Sequence, residues 1–296
     1  MKEKPFSKYQ ILANAVMIIW TLAIILPFIL LFMSSITDEN TLVANGYSFF
    51  PKKFSLASYS YIIKSGGQIL KAYGVSIGVT VVGTLLNVLL SALMAYPLSV
   101  KNLPGRNVMM FFVFFTMLFN GGIVPSYIMW TGTFHIKDTI FAQLLPNFLL
   151  SAWNVMMIRT YFTTSIPDGL YEAAEIDGAS QFTIFWKIVL PLGKPILVTM
   201  GTFAGLAYWN DWTNGLYYIV KNTGLYNVQN LLNQMVQNIQ VLTQSSNSNV
   251  TAAASTIPAT GIQMAIAFVA ILPIMLIFPS FQKYYAKGIA LGAVKG

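Results

Sequence analysis

The stretch SIPDGLYEAAEIDGASQFTIFWKIVLP, residues 165–191, is an acidic island in an apolar chain. Only 9% of the 296 residues are charged, yet four of the nine acidic residues lie here within about three helical turns. They are Asp168, Glu172, Glu175 and Asp177. We call residues 165–191 the acidic loop. Composition alone favours an ordinary solvated helical segment, and the alternative is a surface that binds a basic partner.

Local signals predict two short helices in the acidic loop. Ser165 is suited to cap the first helix, with Pro167 tolerated in its first turn. Gly178 offers the left-handed conformation that ends a helix. Ser180 can cap the second helix, which we expect Pro191 to end. The apolar side of the second helix is predicted to carry Phe182, Phe185, Ile188 and Val189.

The composition predicts an all-α integral membrane protein. Apolar residues make up 56% of the chain, above the 45–50% that is typical of soluble domains, and the charged fraction is far lower than usual. The basic residues behind the net charge of +8 are scattered singly, which argues against nucleic-acid binding. The chain has no cysteine, which excludes thiolate metal sites. It has one histidine, His135, which makes a Ser-His-Asp triad improbable.

Six apolar stretches are long enough to cross a bilayer as helices. They cover residues 13–32, 72–98, 107–130, 139–159, 195–218 and 261–281. The first is too long for the apolar core of a cleaved signal peptide, so we expect a retained helix. More of the 17 basic residues fall on the side of the termini than on the other. The positive-inside rule therefore predicts that both termini and the acidic loop are cytoplasmic.

Helix-breaking, polar or aromatic residues in three of the apolar stretches are candidates for a path through the membrane. Broken backbone at membrane depth needs protein or a water-filled cavity to satisfy it. The third stretch is interrupted by Asn120, Gly121, Gly122 and Pro125. The fifth carries Tyr208, Trp209, Asn210, Asp211 and Trp212, and the fourth carries Asn147, Trp153 and Asn154. Aromatic faces beside amides are suited to binding a sugar. Helix packing or anchoring at the membrane interface would also explain why these residues lie in apolar stretches.

The acidic loop resembles the EAA loop of permease subunits in type I ABC importers. That family's pattern is Glu-Ala-Ala, three residues, Gly, nine residues, then Ile-x-Leu-Pro. The matching residues here are Glu172, Ala173, Ala174, Gly178, Ile188, Leu190 and Pro191. The segments MLFNGGIVPSY, YWNDW and QKYYAKGIALGAVKG are similar to the carbohydrate branch, of maltose type (MalG-like), in its LplC/YtcP group.

The resemblance implies a type I ABC importer permease fold with six transmembrane helices and a cytoplasmic two-helix coupling loop. It places Glu172 against basic residues of an ATPase subunit, Ala173 and Ala174 in a close fit, and Gly178 at the turn. Asp177 is expected to supply further charge for a basic partner, as are Glu172 and Glu175. Ile188, Leu190 and Pro191 complete the coupling set. The implied organisation is an N-terminal segment with the first helix and an outer loop (residues 1–71), a permease domain (72–282) and a cytoplasmic tail (283–296).

The resemblance also implies the partners and the localisation. These are a second, homologous permease chain, two cytoplasmic ATPase subunits, an extracellular solute-binding protein, an oligosaccharide substrate and the bilayer of a bacterial plasma membrane. The chain has no G-x-x-x-x-G-K-[ST] phosphate loop, so we expect it to have no enzymatic activity and no cofactor. ATP and Mg would then be bound by the partner ATPase.

Three alternatives remain open at the level of sequence. The coupling pattern is shared across type I importers, so the solute could belong to a class other than sugars. An ion-coupled secondary carrier would need intramembrane ionisable groups, and Asp211 is the only acid inside a predicted span. A membrane-embedded enzyme would need a nucleophile and base or a metal set, for which the chain has few candidates.

Overall fold

A computed structural model describes residues 8–64, 66–244 and 259–293. In these ranges the regular structure is helical, apart from one isolated antiparallel bridge between Thr37 and Phe54. The chain divides into two compact units, residues 1–69 with 232–273 and residues 70–231 with 274–296, which are described separately below.

The helices are numbered in chain order. They are α1 (Lys8–Ser35), α2 (Glu39–Asn45), α3 (Ala57–Lys64), α4 (Gly66–Ser99), α5 (Arg106–Leu118), α6 (Ile123–Ile128), α7 (Phe141–Leu144), α8 (Ala152–Ser165), α9 (Asp168–Ile176), α10 (Gln181–Ile184), α11 (Leu190–Leu192), α12 (Lys194–Asn210), α13 (Thr213–Tyr218), α14 (Val228–Gln244) and α15 (Ala259–Ala293). The π-helical turns Met129–Thr133 and Phe185–Val189 continue α6 and α10.

Three of these helices are long and apolar enough to cross a membrane unbroken. They are α1, α4 and the segment Thr260–Ile277 of α15. Two further spans are possible if each strongly bent helix pair counts as one, namely Arg106–Leu118 with Ile123–Thr133 and Gln181–Leu192 with Lys194–Asn210. The predicted fourth span, residues 139–159, contains only the short α7 and the start of α8. Pro146 and the left-handed Asn147 (φ 67°) lie between these two helices.

The first unit is held by contacts between α1, the short helices α2 and α3, and the start of α15. The Ser35 and Tyr59 hydroxyls are 2.8 Å apart. The Glu39 carboxylate accepts hydrogen bonds from the backbone N–H groups of Thr260 at 2.9 Å and Gly261 at 2.8 Å. A carboxylate in this position satisfies free N–H groups at the N-terminus of α15 and complements the helix dipole.

The second unit has its largest apolar core where α4, α5, α8 and the acidic loop meet. Fully buried side chains from α8 (Ile158, Phe162) and the acidic loop (Ile184, Val189) pack in one cluster with Leu98 of α4. This core is the physical reason that the acidic loop has a defined position relative to the ends of α4 and α8.

The structure describes two of the predicted segments only in part. The predicted tail, residues 283–296, is a continuation of α15 as far as Ala293. Residues 245–258, which follow α14, and the N-terminal residues 1–7 lie outside the described residues.

Candidate functional site

The acidic loop folds as two short helices joined by a left-handed glycine, as the sequence predicted. The first helix is α9, and Gly178 follows it with φ 76°. The Ser180 hydroxyl caps α10 by accepting the backbone N–H of Thr183 at 3.2 Å. The predicted role of Ser165 is wrong, because this residue ends α8 and makes no cap. The extended backbone of Ile166 and Pro167 separates it from α9, since a residue before proline disfavours the helical conformation.

Pro191 does not end the second helix, which corrects another sequence prediction. The helical run continues through the π-turn Phe185–Val189 to Leu192, and the chain bends by 78° before α12. A π-helical turn is a common way to accommodate a local irregularity such as the missing N–H of proline. At the bend, a side chain on Gly193 would overlap the Phe162 ring, so close helix packing requires glycine there.

One face of the acidic loop is buried against the rest of the second unit. Phe185 and Ala174 belong to the apolar core, with Tyr96 of α4 in the same cluster. Ile188 and Leu190 are partly buried and pack against that core. These contacts fix the loop on its inner side.

The opposite face of the acidic loop is exposed and combines acidic with apolar side chains. Its members are Glu172, Ala173, Ile176, Asp177, Phe182 and Trp186. Ile176 is 85% exposed and Phe182 is 67% exposed. The prediction that Phe182 lies on the apolar inner side is therefore wrong, and Ala174 faces inward while Ala173 faces outward. We call these six residues the exposed face.

Hydrogen bonds also join the acidic loop to the end of α4. The Tyr96 hydroxyl donates to Oε1 of Gln181 at 2.6 Å, and Nε2 of Gln181 donates to Oε1 of Glu175 at 2.8 Å. Lys101, just beyond α4, forms an ion pair with Asp168 at 2.5 Å. Sequence reasoning missed Tyr96 and Gln181, because neither residue carries a charge or matches a motif.

The break predicted in the third apolar stretch is present. The chain turns by 109° between α5 and α6, where Gly122 has φ 84° and donates its N–H to Oδ1 of Asn120 at 2.8 Å. Asn120, Gly121, Gly122 and Pro125 are all exposed. Whether they line a path through the membrane remains a prediction.

The five residues of the fifth stretch that were predicted to line a path differ in their burial. Tyr208 and Trp209 are buried, whereas Asn210 and Trp212 are exposed. The Tyr208 hydroxyl donates to the carbonyl oxygen of Leu144 at 2.9 Å. Asp211 is 5% exposed and directly follows the last residue of α12. Its Oδ1 accepts from the N–H and hydroxyl of Thr213 at 3.0 and 2.6 Å, whereas its Oδ2 is buried without a partner.

Side-chain amides satisfy the backbone where the fourth and fifth stretches are broken. Nδ2 of Asn87 donates to the Phe148 carbonyl oxygen at 2.6 Å, and Nδ2 of Asn154 donates to Oδ1 of Asn87 at 2.7 Å. Further donations run from Asn214 to Pro146, from Asn227 to Asp211 and from Asn230 to Trp212, each to a backbone carbonyl oxygen. The amide of Asn154, a predicted path residue, is therefore used within the chain.

Asp138 organises a loop that sequence reasoning did not single out. Its Oδ1 accepts the backbone N–H groups of Val220 and Lys221, each at 2.7 Å, and that of Asn222 at 3.2 Å. These three hydrogen bonds lower the pKa of the Asp138 carboxyl below its usual value, and the bond from the N–H of Lys221 has the largest effect. Asp138 itself has φ 58°, which aspartate tolerates better than most residues.

Comparison with known proteins assigns the family. Residues 6–291 match the family described as binding-protein-dependent transport system inner membrane component. Protein LplC of Bacillus subtilis (strain 168) is 36% identical over 92% of this chain and 90% of LplC. YtcP of the same organism, a polygalacturonan/rhamnogalacturonan transport system permease protein, is 36% identical over 97% of this chain and 98% of YtcP.

A solved structure shares the fold. It is the crystal structure of a bacterial ABC transporter involved in the import of the acidic polysaccharide alginate, with a TM-score of 0.79 and 26% identity, covering 96% of this chain and 100% of that chain. The architecture is accordingly that of a type I ABC importer permease, a multi-pass protein of the plasma membrane. Subunits of this kind work with a partner permease, an ATPase and a binding protein. The chain belongs to the family of binding-protein-dependent transport system inner membrane components, the permease subunits of ABC importers.

Proposed function

We propose that this chain forms half of the translocation pathway of an ATP-driven importer for an oligosaccharide or a related sugar. The relatives and the solved neighbour support a saccharide, since their names refer to polygalacturonan or rhamnogalacturonan, arabinooligosaccharides and alginate. In this proposal the chain pairs with a second permease chain, two ATPase subunits and an extracellular solute-binding protein. ATP and Mg are bound by the ATPase, and this chain carries no cofactor.

The observation that carries the proposal is the exposed face of the acidic loop. A segment that is fixed on one side by a buried core and presents acids and large apolar side chains on the other is suited to rigid docking. Ile176 and Phe182 would fill apolar pockets of the ATPase, while Glu172 and Asp177 would attract its basic residues. The small side chain of Ala173 leaves room for the ATPase to approach α9 closely.

The remaining residues of the coupling set act from within the loop. Gly178 provides the turn between α9 and α10, and Ala174 allows α9 to approach the core closely. Ile188 and Leu190 hold the second helix against that core, and Pro191 lies in the helical run that leads to α12. A rigid attachment is needed, because a loosely held loop would absorb the movement of the ATPase.

The proposed topology has six spans with both termini in the cytoplasm. The third span is the bent pair α5 and α6, the fourth comprises α7, the amide-braced break and α8, and the fifth includes α12. This arrangement places the acidic loop on the cytoplasmic side, where the ATPase lies. The proposed path is lined by exposed groups at its breaks, chiefly Asn120 and Gly122 in the third span and Asn210 and Trp212 in the fifth.

Reconstitution tests the proposed function. The chain and the subunits that co-purify with it would be placed in ATP-loaded liposomes and supplied with labelled galacturonan, arabinan and alginate oligosaccharides. We expect uptake of at least one of them, dependent on ATP and unaffected by ionophores that collapse ion gradients. Uptake by this chain without a nucleotide-hydrolysing subunit would contradict the proposal and favour an ion-coupled carrier.

A matched pair of variants tests the docking surface. Phe182→Ser removes an exposed apolar side chain from the exposed face, and Phe50→Ser removes one that is 87% exposed in the loop between α2 and α3. Phe182→Ser should reduce the yield of ATPase in a pull-down, and Glu172→Lys should do the same through reversed charge. Phe50→Ser should have no effect. Wild-type yields with both loop variants would refute docking through this face.

A further inference from the structure

A chain of hydrogen bonds connects the buried end of α4 with the acidic loop. Tyr96 is 8% exposed, and its hydroxyl needs a partner because a buried polar group without one is costly. Gln181 supplies that partner through Oε1. With its Nε2 the same side chain donates to the Glu175 carboxylate, a charge-assisted bond. One residue therefore ties α10 to both α9 and α4.

Ring contacts add to the same junction. The Tyr96 and Tyr171 rings are stacked with centroids 6.4 Å apart, and the Tyr96 and Phe185 rings lie 5.4 Å apart. Tyr171 belongs to α9, and Phe185 lies in the π-turn that follows α10. Both helices of the acidic loop thus contact the same tyrosine of α4, with Gln181 as the hydrogen-bonding link between them.

The neighbouring ion pair between Lys101 and Asp168 is a weaker candidate for linking α4 to the acidic loop. Lys101 and Asp168 form an ion pair, but their side chains are 59% and 58% exposed. Exposed pairs contribute about 0–1 kcal/mol and are screened by salt. The bond from Tyr96 to Gln181 starts instead from a side chain held in the buried core, whereas the bond from Gln181 to Glu175 is exposed. The buried tyrosine gives this link to α4 a more fixed geometry than the exposed ion pair has.

We propose that Gln181 is a positioning residue that makes α9, α10 and the end of α4 move as one body. This inference rests on the proposed function, because it assigns to α4 the movement that an ATPase would impose on the acidic loop. Without the link, the loop follows the ATPase while α4 lags behind. The defect would then be in the transmission of movement, and docking itself would be unchanged.

The chain has no native cysteine, so introduced cysteines can be labelled selectively. Nitroxide labels at Leu85 of α4 and Leu170 of α9, both exposed, report the distance between helix and loop by double electron–electron resonance. The measurement uses the assembled transporter with cysteine-free partner subunits, first without nucleotide and then trapped with ATP and vanadate. In the otherwise unchanged protein the distance should be the same in both states.

Two variants remove either one or both of the hydrogen bonds of Gln181. Tyr96→Phe removes only the hydroxyl, and Gln181→Met removes both hydrogen bonds at nearly constant size. In both variants, trapping should shift the distance by more than the width of the unsubstituted distribution, while the ATPase yield in a pull-down is unchanged. A purely structural role would broaden the distribution equally in the two states. A distance that stays constant on trapping in both variants would overturn the proposal.

Conservative variants separate the hydrogen bond from charge. Glu175→Gln keeps an acceptor for Gln181 and should behave as the unsubstituted protein, whereas Glu175→Ala should show the shift. Asp168→Asn removes the exposed ion pair and should have no effect. Equal behaviour of the two Glu175 variants would overturn the proposal. Failure of the unsubstituted chain to co-purify with any ATPase would instead refute the proposed function.

Discussion

Replacing Gly178 with alanine tests whether the acidic loop must turn in the left-handed conformation. Gly178 has φ 76°, and an added Cβ would meet no heavy atom within 4 Å. Crowding is therefore absent, and the cost of a side chain is conformational. That cost is about 1–2 kcal/mol for a residue with a side chain. It corresponds to about a 5- to 30-fold loss of the turn conformer.

The assay is the affinity of the purified chain for its ATPase subunit, measured by biolayer interferometry in detergent. Gly178→Ala should weaken binding by about that 5- to 30-fold factor, because only the turned conformer presents both helices correctly. Gly178→Asn should lose much less, since asparagine tolerates left-handed backbone. Gly169→Ala is the matched control. Gly169 lies on α9 in open space without a positive φ, so alanine should be neutral or slightly favourable there.

Two results would contradict the need for a left-handed turn at Gly178. Unchanged affinity of Gly178→Ala would mean that the turn does not limit docking. A larger loss with asparagine than with alanine would mean that side-chain volume at the interface matters and that backbone conformation does not.

Three further predictions concern the residues that hold loops and breaks in place. Asp138→Ala should speed hydrogen exchange of the amides at 220–222. In the unsubstituted chain, protection by Asp138 should be complete above the ordinary aspartate pKa of about 3.9 and be lost as pH falls through the lower folded value. Glu39→Ala should lower the melting temperature more than Glu39→Gln, because glutamine keeps one acceptor for the α15 N-terminus; equal losses would contradict capping. Asn87→Leu should cost about 1–3 kcal/mol in denaturant unfolding, with the exposed Asn102→Leu as a neutral control.

Local chemistry explains which parts of the acidic loop could be predicted. Gly178 and Ser180 follow from the conformations that a helix end and a helix cap require, and both predictions are confirmed. Ser165 failed as a cap because Pro167 restricts the residue before it, which competes with the capping signal. Helical spacing identified an apolar side of α10 but could not reveal that Phe182 faces outward, since burial depends on where α4 and α8 pack.

The polar residues of the fourth and fifth stretches could not be assigned from sequence for a different reason. Asn154 and Tyr208 have the chemistry of a sugar site, yet their polar groups bond to Asn87 and to the Leu144 backbone. Those partners are distant in the chain, so only the tertiary structure distinguishes a ligand site from a brace. No local sequence pattern identifies Asn87 as the residue that braces the break.

The choice of amides at the helix breaks has a physical basis. A free carbonyl oxygen inside a membrane protein needs a donor, and a lysine or arginine could supply one only by burying a charge at a cost of several kcal/mol. A neutral asparagine donates and accepts without that cost, so Asn87 can satisfy the Phe148 carbonyl oxygen and hold Asn154 at the same time. Asp211 is the exception, with Oδ1 fully used and Oδ2 buried without a partner. At the other breaks, neutral amides therefore satisfy the backbone carbonyl oxygens with no buried charge, as Asn214 does for Pro146 and Asn230 for Trp212.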